Sequence, residues 1–353
     1  MSTCPRVSVV MPAFNAEKYI GEAIESILAQ TLSDFEFIII NDGSTDSTSE
    51  ILDSYRARDP RIRVHTQDNC GTASAMNAGC QLACGKYVAR MDADDISLPQ
   101  RLERQVNYLE QKPELSICGT WMRTLGEGES KLVRYPDDPD VALSTLPFKL
   151  PIVGGSLMFM RTLYSEKGVR YNPHVGATDD YLFVIDCSKY CQLASIPEVL
   201  YHYRRHATQV TSTQRERQHH FARQIRLQQL EELGIQPSED EIDTHEAICT
   251  WDLEGDQVWV EKTEKWLAKM KLTNVRKQKY PQEAFARVLS DYWFAVCTRN
   301  AHLGLWAYRT FYNSQLSADR SLETGRKLKF LAKCTMYLPT DSLHLRRRIA
   351  HRN

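Results

Sequence analysis

Three carboxylates crowd the end of an apolar run in the segment KYVARMDADDISLP, residues 86–99. Asp92, Asp94 and Asp95 fall within four positions, and carboxylates that close together repel one another. A divalent cation that binds the carboxylates and phosphate oxygens at the same time relieves this repulsion. Mg²⁺ and Mn²⁺ commonly bind one or two carboxylates together with substrate phosphates. The alternative is that these aspartates only form a solvated turn or a helix cap.

Strand-like and helix-like patterns alternate over the first ~120 residues, which predicts an α/β domain with a mainly parallel central sheet. Apolar runs predict strands at 7–11, 35–40, 62–65, 86–91, 115–119, 153–160 and 192–196. Ligands of such sheets bind beyond the carboxyl ends of the strands. Asp42, which follows the second strand, and the aspartate cluster, which follows the fourth, both lie at such ends.

Polar residues before the first two helical segments predict how those helices begin. Asn15 is expected to cap the helix in NAEKYIGEAIESILAQT, and Ser47 with Glu50 is expected to form a capping box for the next one.

Composition excludes several classes of protein. A net charge of −1 over 353 residues argues against a nucleic-acid-binding protein that works through bulk charge. The sequence contains no apolar run of ~18 residues, so no transmembrane helix is predicted. The N-terminal segment makes a poor signal peptide and the ten cysteines are typical of reduced thiols, so a cytoplasmic protein is expected.

The common nucleotide and hydrolase motifs are absent: the sequence contains no GxxxxGK[ST], no GxGxxG after the first strand and no GxSxG. Another set is present in order across residues 7–119, namely P-x-[YF]-N, D-G-S-x-D, N-x-G, A-x-N-x-G, A-x-G-x-[YF] and D-x-D-D. In this ordered set the chain resembles the family 2 glycosyltransferases, which have the GT-A fold. "TDDY" and "YRRH" extend the resemblance to about residue 213.

The resemblance implies a division of the chain into two regions. Residues 1–213 would form the glycosyltransferase domain, with a nucleotide-sugar-binding half at 1–125 and an acceptor and catalytic-base half at 126–213. Residues 214–353 are rich in charged, helix-favouring segments and are expected to form a helical C-terminal region. Its end is basic, with eight Lys or Arg residues and one acidic residue from Arg326 onward.

The same resemblance implies a donor site. Asp42 would accept hydrogen bonds from the nucleoside base, with a turn residue at the entry to a helix as its alternative or additional role. Asp92 with Ala93 would meet the donor ribose. Asp94 would be the main ligand of the Mn²⁺ or Mg²⁺ ion, with Asp92 and Asp95 as further ligands. Asn77 would lie near the donor, with capping or bracing of a helix as its alternative role. The remaining positions expected to line the donor are Pro12, Ala13, Phe14, Asn15 and Asn69.

The catalytic base in this family lies in an acidic pair that opens a helix, usually Glu-Asp. Here the pair is Asp179–Asp180, so the resemblance implies that Asp180 is the base and that Asp179 replaces the glutamate. Thr178 and Asp179 have helix capping as their alternative role. In "YHYRRH", Arg204 would contact the diphosphate and His206 would join the metal shell, against the alternatives of a solvated surface arginine and an ordinary surface histidine.

The resemblance therefore implies a metal-dependent, inverting glycosyltransferase. Its donor would be a nucleoside-diphosphate sugar, with UDP favoured, and its acceptor a hydroxyl of a glycan or a lipid-linked molecule, as in cell-surface polysaccharide or lipopolysaccharide assembly. The alternatives are a non-catalytic nucleotide-sugar-binding protein and a nucleotidyltransferase. The basic C-terminus is expected to rest on an anionic membrane surface, with a solvated helix face and frayed terminus as the alternative.

Overall fold

The structure is a computed structural model that describes residues 4–207, 209, 215–318 and 324–336. The chain divides into two compact units, Met1–Ile225 and Arg226–Asn353. Each unit has its own buried apolar residues and is treated separately below.

The first unit begins with alternating strands and helices. In chain order these are β1 (Val7–Ala13), α1 (Ile20–Leu28), β2 (Phe35–Asn41), α2 (Thr48–Arg58), β3 (Ile62–Thr66), α3 (Thr72–Leu82) and β4 (Tyr87–Arg90). The four strands pair in the order β3-β2-β1-β4, and every pairing among them is parallel. This part of the sheet is the parallel sheet that the sequence predicts.

The rest of the unit adds shorter and longer strands. These elements are β5 (Ile96–Ser97), α4 (Arg101–Gln111), β6 (Leu115–Gly126), β7 (Leu132–Val133), α5 (Pro139–Thr145), β8 (Met158–Met160), α6 (Thr162–Ser165), α7 (Asp179–Ser188) and β9 (Gln192–Arg205). In the described residues the sheet continues from β4 in the order β8-β6-β9-β5, with β7 beside β6. The pairings of β8 are antiparallel and that of β6 with β9 is parallel, so the sheet is mixed.

The sheet is covered on both faces. Along β2, Ile38 and Ile40 belong to one apolar cluster, whereas Phe37 and Ile39 belong to the other. Successive side chains of a strand point to opposite faces, so the continuous run FEFIII serves two cores at once. The predicted α/β class is confirmed.

The two predicted side-chain caps are not formed. Asn15 has a left-handed backbone (φ 46°), and α1 begins only at Ile20. The Asn15 side chain instead accepts a hydrogen bond from the Thr45 N–H (2.8 Å), which joins the loops after β1 and β2. Ser47 precedes α2 but makes no capping hydrogen bond through its side chain. Its own N–H donates to Glu17 Oε2 (2.9 Å), so contacts between the two loops replace the local caps.

The C-terminal region is helical, as predicted. Its helices are α8 (Arg215–Leu233), α9 (Glu239–Thr250), α10 (Gln257–Lys277), α11 (Gln282–Arg299), α12 (Leu305–Asn313) and α13 (Thr324–Met336). Within the second unit, Trp266 on α10 and Trp293 on α11 are among the largest fully buried side chains. In the described part of the chain, no helix has the length and hydropathy of a membrane span.

Candidate active site

The aspartate cluster follows the last residue of β4. Asp92 Oδ1 accepts a hydrogen bond from Arg90 Nε (2.9 Å), and the Asp92 N–H donates to the Tyr201 hydroxyl (3.4 Å). Ala93 is partly buried and packs against the apolar cluster on one face of the sheet. The carboxylates of Asp92 and Asp94 both keep a solvent-exposed part, as a ligand-binding group must.

Asp94 and His206 are neighbours although 112 positions separate them in the sequence. Asp94 Oδ2 lies 3.0 Å from His206 Nε2. Burial and the Asp92 charge raise the pKa of Asp94, and the His206 hydrogen bond opposes that shift. The His206 side chain is 11% exposed, which contradicts its alternative role as an ordinary surface histidine. The structure thus brings together two of the predicted metal ligands.

Arg204 is held by protein groups on several sides. Its Nε donates to the Asp94 carbonyl (2.8 Å), its Nη2 lies 2.7 Å from Glu22 Oε2, and its guanidinium stacks 4.7 Å from the centre of the Tyr19 ring. The side chain is 12% exposed, so the description as a solvated surface arginine is wrong. Its contact with a diphosphate stays a prediction.

Asp95 differs from the other two aspartates because it is almost completely buried. Its Oδ1 accepts a hydrogen bond from the Arg204 N–H (2.7 Å). Burial, with the charges of Asp94 and Asp92, raises the pKa of the Asp95 carboxyl well above its ordinary value. These contacts make Asp95 an anchor for the end of β9, which carries His206 towards Asp94. Metal binding by Asp95 stays a prediction.

Asp42 is buried and shapes the loop that leads into α3. Its Oδ1 accepts from Gln67 Nε2 (2.7 Å) and the Cys70 N–H (3.0 Å), and its Oδ2 accepts from the Gly71 N–H (2.8 Å). A carboxylate has about four acceptor positions, so three are already used. The predicted bond to a nucleoside base would take the remaining position.

The residues expected to line the nucleoside pocket lie at the end of β1 and in two loops. Pro12 and Ala13 end the strand, and the Phe14 ring that follows is exposed. Asn69 is exposed, and its backbone nitrogen would lie 2.8 Å from a Cβ atom on Gly43. Gly43 has a φ of 75°, so a glycine is needed there for the turn that brings the two loops together.

Asn77 braces another segment of the first unit. Its Nδ2 donates to the Tyr171 carbonyl (2.7 Å), and its Oδ1 accepts from the Tyr171 N–H (3.0 Å). The nitrogen and the oxygen of the Asn77 amide therefore both bind the backbone of Tyr171. This is the bracing role that the sequence left open, and it fixes the chain eight residues before Asp179.

Neither Thr178 nor Asp179 caps α7 through its side chain. The Thr178 hydroxyl donates to the Val175 carbonyl (2.7 Å), and the helix begins without a side-chain cap. Asp179 is 3% exposed and forms an ion pair with Arg90 Nη1 (3.2 Å). The capping interpretation of Thr178 and Asp179 is therefore wrong, because a buried carboxylate needs a cation and Arg90 supplies it.

The Asp180 carboxyl has a pKa near neutrality. Its Oδ1 accepts from the Tyr181 N–H (2.7 Å). Burial, and then the Asp179 charge, raise the pKa of Asp180 to about 7, while Arg90 opposes the shift. A carboxylate of that pKa is a far better proton acceptor near neutral pH than an ordinary aspartate. The arrangement suits a general base.

Two glycines lie against both carboxylates. A Cβ atom on Gly154 would collide with Asp180 Oδ2, and one on Gly155 would lie 2.7 Å from Asp92 Oδ2 and collide with the Tyr201 hydroxyl. The apolar pattern predicts a strand at 153–160, but Gly154–Ser156 is a 3₁₀ turn and β8 is only Met158–Met160. The absent side chains leave room for the two carboxylates.

Arg90 and Arg101 are functional candidates that the sequence analysis missed. Arg90 contacts both Asp92 and Asp179. Arg101 is fully buried, and its Nη1 donates to the carbonyls of Arg90 (3.2 Å) and Gly155 (3.0 Å). Burial lowers the pKa of Arg101 to about 10. The usable signal was a charged residue at the end of the apolar run YVAR, since a buried charge requires a partner.

Comparison with known proteins identifies the family of the chain that carries this site. The sequence profile described as glycosyl transferase family 2 matches residues 8–167. An uncharacterized glycosyltransferase of Haemophilus influenzae is 33% identical over 241 residues, covering 65% of this chain and 75% of the relative. The chain belongs to glycosyltransferase family 2. An uncharacterized glycosyltransferase of Methanocaldococcus jannaschii is 34% identical over 188 residues, covering 52% of this chain and 64% of the relative.

The fold of this family 2 glycosyltransferase is also found in a solved structure. Residues 1–349 of S. aureus TarS, in complex with UDP-GlcNAc, superpose with a TM-score of 0.56 at 18% sequence identity, covering 89% of this chain and 90% of that one. This similarity confirms the GT-A class of the predicted fold. The predicted family membership and glycosyltransferase activity are confirmed as well.

The side chains near Asp94 fit a divalent cation in this glycosyltransferase. Asp94 offers a carboxylate oxygen and His206, 3.0 Å away, an imidazole nitrogen, donors that suit Mn²⁺, and the carboxylate oxygens of Asp94 also suit Mg²⁺. Within residues 4–207, 209, 215–318 and 324–336, no three His, Cys, Asp or Glu side chains are gathered to hold a metal by themselves. Substrate phosphates usually complete such sites, so few protein ligands are needed.

Proposed function

We propose that this enzyme is a metal-dependent, inverting glycosyltransferase that moves a sugar from a UDP-linked donor to a hydroxyl of a glycan or lipid-linked acceptor. The observation that carries the proposal is that Arg90 contacts both Asp92 and Asp179, the residue directly before Asp180, so that a carboxyl whose pKa burial raises to about 7 lies beside the aspartate cluster. UDP is favoured because TarS, which has the same fold, binds UDP-GlcNAc. Cell-surface polysaccharide or lipopolysaccharide assembly is the process in which such a transfer belongs.

The residues divide the reaction between two groups. The oxygen of the acceptor hydroxyl attacks the anomeric carbon of the donor sugar, and Asp180 accepts the proton of that hydroxyl. Asp92, Asp94 and His206 hold the opposite end, where the nucleoside diphosphate leaves. A cation bound there supplies charge neutralisation for the leaving group. Attack on the side opposite the leaving group inverts the configuration of the anomeric carbon.

The first test is thermal stability with UDP, GDP, CDP, ADP and dTDP, each with Mn²⁺ and with EDTA. A ligand at a hundred times its dissociation constant stabilises a fold by ~2.7 kcal/mol, which is enough to raise the melting temperature measurably. We expect the shift with UDP and Mn²⁺, and loss of the shift with EDTA.

Sugar transfer is measured next, as UDP release from UDP-sugars in the presence of glycan and lipid-linked acceptors. A shift with GDP instead of UDP would contradict the donor assignment alone. UDP binding without turnover of any donor would contradict the enzymatic proposal and support the non-catalytic nucleotide-sugar-binding alternative.

We also propose that the enzyme works as a peripheral protein on the cytoplasmic face of the membrane, through the outer face of α13. Phe330 and Cys334 form the buried face of this helix. Leu328 and Met336 are 61% and 81% exposed, and with Ala332 they form an i, i+4, i+8 stripe on the opposite side. The exposed cations of the same helix are Arg326, Lys327, Lys329 and Lys333, of which Lys329 and Lys333 flank the stripe.

An apolar stripe edged by cations is typical of helices that lie in an anionic membrane interface. Each Lys or Arg near such a surface contributes about 1 kcal/mol. The second basic segment, residues 343–353, lies outside the described residues.

Replacing Leu328 and Met336 together with glutamine is expected to lower binding to phosphatidylserine vesicles at least about tenfold. Removing two apolar side chains from the interface forfeits more than the ~1.4 kcal/mol that corresponds to tenfold. Vesicle flotation measures the bound fraction. Leu272→Gln is the matched control, because Leu272 is also exposed in the second unit but lies on α10. Equal binding of the double variant and the wild type would leave only the solvated-helix interpretation.

A further inference from the structure

One guanidinium connects the two carboxylate groups of the first unit. Arg90 Nε donates to Asp92 Oδ1 (2.9 Å), and Arg90 Nη1 donates to Asp179 Oδ2 (3.2 Å). The two carboxylates are 87 positions apart in the sequence, on different elements: Asp92 follows β4 and Asp179 is the first residue of α7. The Arg90 side chain is 8% exposed, so solvent screens these contacts little.

The surroundings of Arg90 hold it in one position. Its backbone N–H donates to the Leu157 carbonyl (2.8 Å), and its carbonyl accepts from the buried Arg101 Nη1 (3.2 Å). The same Arg101 nitrogen donates to the Gly155 carbonyl (3.0 Å). The glycine turn against Asp92 and Asp180 is therefore tied to the strand that carries Arg90. Backbone and side chain of this arginine are both fixed.

We propose that Arg90 is a positioning residue, which sets the place of the Asp180 base relative to the Asp92 carboxylate on the donor side. This inference rests on the proposed function. Asp180 follows Asp179 directly, so the ion pair that holds Asp179 also holds the first turn of α7. On the other side, Asp92 begins the segment that carries Asp94. The Arg90 guanidinium therefore keeps a fixed distance between Asp180, which accepts the proton, and Asp92, which lies on the diphosphate side.

The proposal also explains the departure of this chain from the usual Glu-Asp pair. Asp179 is buried and already paired with Arg90, so a glutamate would have to fit an extra methylene into the space between them. It further explains why arginine is required. Guanidinium presents several N–H donors in a planar fork, whereas a lysine ammonium is a compact charge on a flexible stem.

The test compares Arg90→Lys, Arg90→Met and Asp179→Asn with the wild type. The measurements are the melting temperature, UDP affinity in Mn²⁺, and kcat and the acceptor KM per folded molecule. Arg90→Lys keeps the charge and is expected to fold and to lose much less UDP affinity than kcat, since Asp94 and His206 are unchanged and only Asp92 loses its fixed contact. Its kcat is expected to fall about a hundredfold, the usual loss when a reacting group shifts by ~1 Å. Arg104→Met is the control, because Arg104 is exposed and pairs with Glu198.

A purely structural role makes a different prediction. It would lower the folded fraction and leave kcat per folded molecule unchanged, so a wild-type kcat in Arg90→Lys overturns the proposal. Should Arg90→Met fail to fold, Asp179→Asn replaces it, since asparagine still accepts a hydrogen bond from Arg90 but cannot form the ion pair. A wild-type kcat in that variant also overturns the proposal. Absence of transfer by the wild-type enzyme would instead refute the proposed function, and this inference with it.

Discussion

Replacing Asp180 with asparagine is expected to lower the sugar-transfer rate by about 10²- to 10⁴-fold and to leave UDP affinity in Mn²⁺ unchanged. The variant keeps the shape of the side chain and its hydrogen bond from the Tyr181 N–H, but it cannot accept a proton. Steady-state transfer kinetics and UDP titration measure the two quantities separately. Loss of the rate without loss of nucleotide binding is the signature of a base.

The pH dependence of the wild type follows from the same residue. Asp180 must be ionised to act as a base, and its pKa is raised to about 7 by burial and by the Asp179 charge. We therefore expect kcat/KM to rise about tenfold per pH unit below the apparent pKa and to level off above it. A cation near Asp92 stabilises the ionised form, so the midpoint should lie at or below pH 7. Measurement from pH 5 to 9 gives this midpoint.

Stability gives an independent check on Asp180. Its folded-state pKa of about 7 lies above the unfolded value of about 3.9, so ionisation disfavours the folded state. The contribution of Asp180 to stability should therefore fall as the pH rises from about 4 to about 7, so that Asp180→Asn is more stable than the wild type at pH 8 but not at pH 4.

Asp186→Asn is the matched control, because Asp186 lies on the same helix and pairs with Lys189. It should change neither the transfer rate nor the pH profile. Transfer by Asp180→Asn at the wild-type rate would show that the base is another group.

Local sequence patterns were sufficient for the parallel half of the sheet and for the aspartates at its carboxyl ends. The runs VSVVM and FEFIII are almost uninterrupted because each strand is covered on both faces. Such a run can be recognised from the local sequence alone, without knowledge of distant contacts. Asp92 and Asp94 follow such a run directly. Their position therefore depends on the chain immediately before them.

The connections between distant segments could not be predicted in this way. Asp179, the distant partner of Arg90, is 89 positions away in the sequence. His206 meets Asp94 only because β9 runs beside β6 and pairs with β5. Gly154 and Gly155 fit an apolar strand pattern equally well, since nothing in the local sequence shows that two carboxylates occupy the space beside them. Local caps failed at Asn15 because a partner from another loop competed for its side chain.

Replacing Asp94 with alanine is expected to abolish the metal-dependent part of UDP binding, so that affinity in Mn²⁺ falls to the value in EDTA. Among the aspartates of the cluster, Asp94 combines a partly exposed carboxylate with a neighbouring imidazole, His206 Nε2 at 3.0 Å. Loss of the cation removes several kcal/mol of charge stabilisation from the leaving diphosphate, which corresponds to at least about a hundredfold in transfer rate. Calorimetric titration with UDP, with and without Mn²⁺, measures the affinity.

The control for Asp94→Ala is Asp53→Ala, which removes an exposed carboxylate on α2 that pairs with Arg56. Unchanged Mn²⁺-dependent affinity in Asp94→Ala would remove this residue from the metal site. His206→Ala then separates two roles for the imidazole. If His206 is a ligand, its loss weakens Mn²⁺ binding itself, because a nitrogen donor is missing. If it only orients Asp94 through their hydrogen bond, glutamine at position 206 should restore the affinity, because its amide can donate to the carboxylate while binding Mn²⁺ far less well than imidazole does.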